Sequence, residues 1–197
     1  MACQLDCQIG FPIWKVSVLF PGRKVNGVGD GSIGDRRGAR RVVAVPRSIA
    51  TNTPVDRDAM LDFVRSRHHV VLLTHRRNGV QLSPVTAGVD EQGRIVVSTY
   101  PERAKVANLR RDPAASVLVL SDGFNGPWIQ VDGTGEVLDL PQALEPLVEY
   151  FRSISGEHPD WEEYRHAMQQ QGKSLLRITP QRWGPIATGG FPARLAG

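Results

Sequence analysis

The sequence predicts a mainly β domain with inserted helices, built on six short, mostly antiparallel strands that form a small closed or partly open barrel. Three observations carry this. Short apolar runs rich in Val, Ile, Leu and Thr recur between residues 70 and 180, each bounded by Gly, Pro, Asn or Asp. Arg77-Asn78-Gly79 and Asp90–Gly93 are tight enough to join antiparallel neighbours. Helical periodicity occupies separate stretches between these runs, and no internal repeat is present.

In chain order, the first helix follows Thr53 or Asp56 as cap, with Pro54 in a first-turn position and Met60, Leu61 and Val64 as its apolar stripe. Val70–Thr74 (VVLLT) is the first strand, and the turn at 77–79 leads into Gln81–Val89 (QLSPVTAGV), the second. Pro84 cannot donate to a ladder, so it argues for an edge or a bulge there. Arg94–Ser98 is the third strand. The stretch Ser98–Pro113 (STYPERAKVANLRRDP) then opens a short helix, in which Thr99 and Glu102 have capping-box spacing and Pro101 fits a first turn. Ala115–Leu120 and Trp128–Glu136 are the fourth and fifth strands, the latter clearly alternating. Pro141–Ser155 is helical, with Leu144, Leu147, Val148 and Phe151 on one face. Asp160–Gln170 is a more polar helix capped by Asp160. Ser174–Pro180 is the sixth strand, and the Gly/Pro-rich remainder is expected to be extended.

A chain of 197 residues, 41% apolar and 22% charged, can bury a real core. No apolar run approaches the ~20 residues that span a bilayer. The two cysteines, Cys3 and Cys7, sit at the extreme N-terminus, so no disulfide framework organises the body and a reducing, cytoplasmic setting is expected. The net charge of +4 hides an asymmetry. The first fifty residues hold eight Lys or Arg against three Asp; the remainder, with sixteen basic and seventeen acidic residues, is close to neutral. The basicity therefore belongs to a leader and gives the body no nucleic-acid signature. Residues 1–52 are too polar and Gly-rich to offset their ordering entropy, and are expected to be a disordered basic leader. Translation starting near residues 50–55 is one account of the leader; a basic tail touching an anionic partner is the other. The expected body spans residues 53–185, and residues 186–197 form a C-terminal tail.

The chemistry is limited. His68 and His69 point apart on a strand, His75, His158 and His166 are scattered, and no spacing joins them into a metal site. There is no GxSxG, no body cysteine, no GxGxxG and no P-loop spacing. What remains is the basic helix. Arg103 and Lys105 stand at its N-terminal end, where the dipole already favours negative charge, and two cations there point to an anion such as phosphate. A solvated basic face is the alternative reading. Beside it lie small polar groups: Gln81, Ser83 and Thr86 on the second strand, Ser98 and Thr99 at the end of the third. Gln81 and Ser83 share a face; Thr86 takes the other unless Pro84 makes a bulge.

The segments VVST (Val96–Thr99), RAKVANLRRDPAAS (Arg103–Ser116) and SGEHPDWEEYRHAM (Ser155–Met168) carry a family resemblance. Over about Val55 to Pro185 the chain resembles the pyridoxamine-phosphate-oxidase-like split β-barrel superfamily of flavin and deazaflavin binders. Within it, the chain is most similar to the actinobacterial coenzyme F420-dependent group. The resemblance implies a homodimer with two cofactor sites at the subunit interface. It implies that Ser98, Thr99, Arg103, Lys105 and Asn108 hold the cofactor phosphate and that Gln81, Ser83 and Thr86 approach the ring. Trp128 and Gln130 would complete the site from the other subunit. The implied activity is hydride transfer from coenzyme F420 to a small organic substrate, with an FMN-dependent oxidase or reductase, or a non-catalytic carrier, as alternatives. No residue stands out as an obligatory acid. The C-terminal Arg182 and Arg194 match no pyridoxal-phosphate substrate site.

Overall fold

The computed structural model describes residues 48–195, Phe124 excepted. Most of the expected leader, residues 1–47, lies outside them. The strands are β1 (Asn52–Thr53), β2 (His69–Arg76), β3 (Gly79–Thr86), β4 (Gly88–Val89), β5 (Ile95–Thr99), β6 (Ala114–Leu120), β7 (Trp128–Leu138), β8 (Ser174–Trp183) and β9 (Ile186–Ala187). The helices are α1 (Arg57–Arg65), α2 (Ala104–Arg111), α3 (Leu144–Ser155) and α4 (Trp161–Gln170). The strands form one curled antiparallel sheet in the order β3-β2-β6-β7-β8-β5-β4, with β1 and β9 pairing each other beside β7.

Period-2 alternation builds the core. Val70 and Leu72 of β2, Val117 and Val119 of β6, and Ile129 and Val131 of β7 all point inward and are buried. Met60, Leu61 and Val64 of α1, with Val106 and Leu109 of α2, join the same cluster. A second cluster lies on the other face of β5 and β8, where Val96 and Leu175 meet Leu147, Val148 and Tyr150 of α3 and Tyr164 and Met168 of α4. The pair β5–β8 is thus covered on both faces, which explains its continuous apolar runs.

Two expectations are corrected. The single second strand is two: after Ala87 the chain leaves β2, and Gly88 pairs instead with Val96 of β5. Gly88 allows this because a Cβ there would meet Ser153 Oγ of α3 at 2.1 Å. Pro84 sits opposite Val71 in an unbroken register, so β3 is an edge strand without a bulge. The capping box does not form. Residues 100–103 make a turn closed by Arg103 N–H donating to the Tyr100 carbonyl at 3.1 Å, and α2 starts only at Ala104. Residues 50–51 bond to the segment after β9: Thr51 Oγ1 lies 2.8 Å from Thr188 Oγ1, and Ala50 N–H donates to the Phe191 carbonyl at 2.9 Å.

Candidate functional site

The N-terminus of α2 differs from those of its neighbours. Asp56 caps α1 and Asp160 caps α4, each with an acidic first turn, and α3 carries Glu145 in its first turn. The cap position of α2 is Arg103, with no side-chain cap and no acid in the first turn. A helix start normally gathers negative charge. This one gathers cations. Arg94 is matched with Asp90 at 2.7 Å and Arg165 with Glu145 at 2.7 Å. Arg103 and Lys105 have no carboxylate partner among the described residues. Burial, and then the Arg103 charge, hold the Lys105 ammonium below its ordinary pKa. Lys173 and Tyr100 join this corner: Lys173 Nζ lies 3.7 Å from the Tyr100 ring centroid and Arg103 Cζ 5.8 Å from it. Neither Lys173 nor Tyr100 was singled out from sequence. The signal was tertiary, since Ser174 pairs with Thr99 and so carries Lys173 to the end of β5.

Ser98 and Thr99 end β5 and lead into the α2 turn, Ser98 half-buried and Thr99 buried. Asn108, one helical turn on from Lys105, is only 5% exposed and its amide is already engaged. Its Nδ2 donates to Thr74 Oγ1 at 3.0 Å and to Gln81 Oε1 at 2.9 Å, while its Oδ1 accepts from Arg111 Nη2 at 3.1 Å. The same Arg111 nitrogen also donates to the His75 carbonyl. Asn108 and Gln81, 27 residues apart, therefore meet. The structure brings them together as partners of each other, with Asn108 lying beneath Gln81.

Ser83 shares the inner side of β3 with Gln81, and Thr86 has the opposite parity in an unbroken register. Thr86 ends β3, where its carbonyl accepts from Tyr150 Oη at 3.1 Å. Burial pushes the Tyr150 phenol up to about 12, partly offset by the Ser98 backbone beside it. Tyr150 thus ties the strand ends bearing Thr86 and Ser98.

Trp128 and Gln130 lie elsewhere. Their β7 neighbours Ile129 and Val131 point into the core, so they occupy the outer face of the sheet. There they line an open cleft of about 470 Å³ with Asp132, Arg182, Trp183, Gly184 and Pro185. Gln130 Nε2 donates to Asp132 Oδ1 at 2.9 Å, as does Ser116 Oγ at 2.7 Å; these two bonds, Ser116 first, hold the Asp132 carboxyl below its ordinary pKa. One chain does not bring Trp128 and Gln130 to the side of the sheet that carries Gln81 and Ser83. Among the described residues no cluster of three or more His, Cys, Asp or Glu could hold a metal ion, and no helix is long and apolar enough to cross a membrane.

The arrangement offers a cationic turn, a polar strand with a fixed amide, and an outer cleft containing an indole. Comparison with solved structures gives the same architecture. The conserved hypothetical protein Rv2991 from Mycobacterium tuberculosis is 25% identical, with a TM-score of 0.57 over 69% of this chain and 87% of that one. The protein Atu2129 of unknown function from Agrobacterium tumefaciens is 12% identical, with a TM-score of 0.51 over 73% and 64%. A Listeria innocua protein provisionally named a pyridoxamine 5'-phosphate oxidase is 16% identical, with a TM-score of 0.50 over 66% and 96%. The latter two show the fold alone. The family model described as pyridoxamine 5'-phosphate oxidase matches residues 57–187, two thirds of the sequence and every element from α1 to β9, and the chain belongs to that family.

Proposed function

We propose that this protein is a homodimeric oxidoreductase that binds coenzyme F420 and passes a hydride to a small organic acceptor. The observation that carries the reading is the uncompensated Arg103–Lys105 pair at the uncapped start of α2. A partly buried ammonium beside an exposed guanidinium, with no carboxylate to offset either, is costly unless an anion completes the pair, and a cofactor phosphate is such an anion. The residues fit the group: Arg103, Lys105 and the Ser98–Thr99 strand end take the phosphate, while Gln81 and Ser83 line the way toward a ring. When bound, the deazaflavin supplies hydride chemistry, which needs orientation and exclusion of water more than an ionised side chain. The chain's part is then to hold the phosphate, fix the ring edge and keep the reacting face dry.

The second subunit enters through the outer face of the sheet. There Leu82 is 62% exposed, Val80 46% and Trp128 37%, and Val71, Leu73, Pro84, Leu118 and Leu120 lie on the same face. A contiguous apolar face of this kind marks an interface. A second copy seated on it would cover Trp128 and Gln130 and put them at the subunit boundary. The cysteine distribution supports a reducing, cytoplasmic setting. The test is to mix the protein with reduced F420 and a panel of electron-poor acceptors. Acceptor-dependent oxidation of the deazaflavin without oxygen uptake is expected. Oxygen consumption supported by FMN, with no oxidation of F420, would replace this reading by an FMN oxidase.

A further inference from the structure

The buried network beneath Gln81 has a direction, and that direction reaches the site. Arg111 can only donate hydrogen bonds. Its Nη2 points at one end of the Asn108 amide at 3.1 Å, so that end must be the oxygen. The Asn108 nitrogen therefore faces Thr74 Oγ1 and Gln81 at 3.0 and 2.9 Å, and the near end of the Gln81 amide must be its oxygen. Amide orientations are ordinarily ambiguous; here a donor-only guanidinium at the start of the chain removes the ambiguity. Reversing Asn108 would set NH₂ against guanidinium at a 5% exposed site, leaving donors without acceptors. The Gln81 Nε2 group is thus turned away from the network, and it has no hydrogen-bond partner among the described residues.

We propose that the relay Arg111→Asn108→Gln81 presents an amide donor to the bound heterocycle and selects a ring edge bearing an acceptor, a carbonyl oxygen of a pyrimidine-dione type. Gln81 is the binding residue; Asn108 and Arg111 are positioning residues. This rests on the cofactor reading above. It explains why an asparagine next to the phosphate turn is spent on a strand instead of on the anion. Flavins and deazaflavins both carry such carbonyls, so the relay recognises the shared ring edge, while the cationic turn recognises the phosphate.

The experiment uses the full chain, FMN and F420 as probes, and inorganic phosphate as the control ligand. Gln81→Met removes the donor without adding charge at a half-exposed strand position, and Asn108→Asp forces the Gln81 amide to reverse. Each is expected to weaken cofactor binding by about tenfold or more, while phosphate affinity changes by less than about twofold. In ¹⁵N spectra, the Gln81 side-chain NH₂ signals should move on cofactor saturation of the native chain. Gln81→Met with native affinity, or Gln81 signals that stay still while the Lys105 amide shifts, would overturn the relay and leave the cofactor reading standing. If neither cofactor moves the Lys105 amide, the cofactor reading itself falls, and the relay with it.

Discussion

Replacing Lys105 by Met keeps the aliphatic stem and deletes the charge, and the structure predicts opposite effects on the apo and cofactor-bound protein. Lys105 is partly buried beside Arg103, and its pKa is lowered first by that burial and then by the Arg103 charge. An amine whose folded pKa lies below its unfolded value binds fewer protons when folded. Stability therefore rises with pH between the folded pKa and the ordinary 10.5, and at neutral pH the ammonium carries its full cost. Lys105→Met removes that cost, so the apo protein should melt at the same temperature or higher. Binding should suffer. A charge-assisted hydrogen bond contributes about 1.5–3 kcal/mol, which is about 10- to 150-fold in Kd. The loss should shrink at high salt, because a partly exposed phosphate contact is screened. Paired thermal melts and fluorescence titrations with F420 at low and high salt check this. A variant that keeps native affinity with an intact fold, or whose apo form melts well below the native one, refutes the anion trap.

Three further predictions follow from the packing. Tyr150 stays neutral to about pH 12, whereas its unfolded counterpart ionises near 10.0, so stability should fall as pH rises through that window. Tyr150→Phe should lose about 1 kcal/mol at neutral pH, with its bond to the Thr86 carbonyl, and show a shallower alkaline loss in urea melts. At Gly135, where a Cβ would come within 2.7 Å of Leu109 Cδ2, Gly135→Ala should push on α2 and cost about 1–3 kcal/mol in chemical denaturation. Leu82→Lys on the outer sheet face should leave the fold intact and yield monomers in analytical ultracentrifugation, with cofactor affinity falling in parallel.

Much of this was legible because it is local. The α3 stripe of Leu144, Leu147, Val148 and Phe151 follows from spacing alone, as do the Asp160 cap and the alternation of β7; for α1 the spacing leaves Thr53 and Asp56 open, and the structure takes Asp56. The division of Gln81–Val89 was not. Both halves are extended and apolar, and the reason for the switch, α3 pressing on Gly88, is tertiary. Thr99 and Glu102 had capping-box spacing, but Thr99 is held in the β5–β8 ladder opposite Ser174 and cannot also cap a helix. The charge pattern singles out Arg103 and Lys105 as two cations at a helix start, and neither has a carboxylate partner among the described residues. No local pattern reveals that Asn108 lies under Gln81, that Arg111 orients both, or that Lys173 and Tyr100 stand at the same corner.

The most direct measurement of the central claim is a fluorescence titration of the purified full chain with oxidised F420, reduced F420 and FMN, run beside Arg103→Ala and Lys105→Met. Saturable deazaflavin binding by the native chain, weakened in both variants, is the predicted result. Tight binding of FMN with none of the deazaflavin, or deazaflavin binding indifferent to both substitutions, would contradict it.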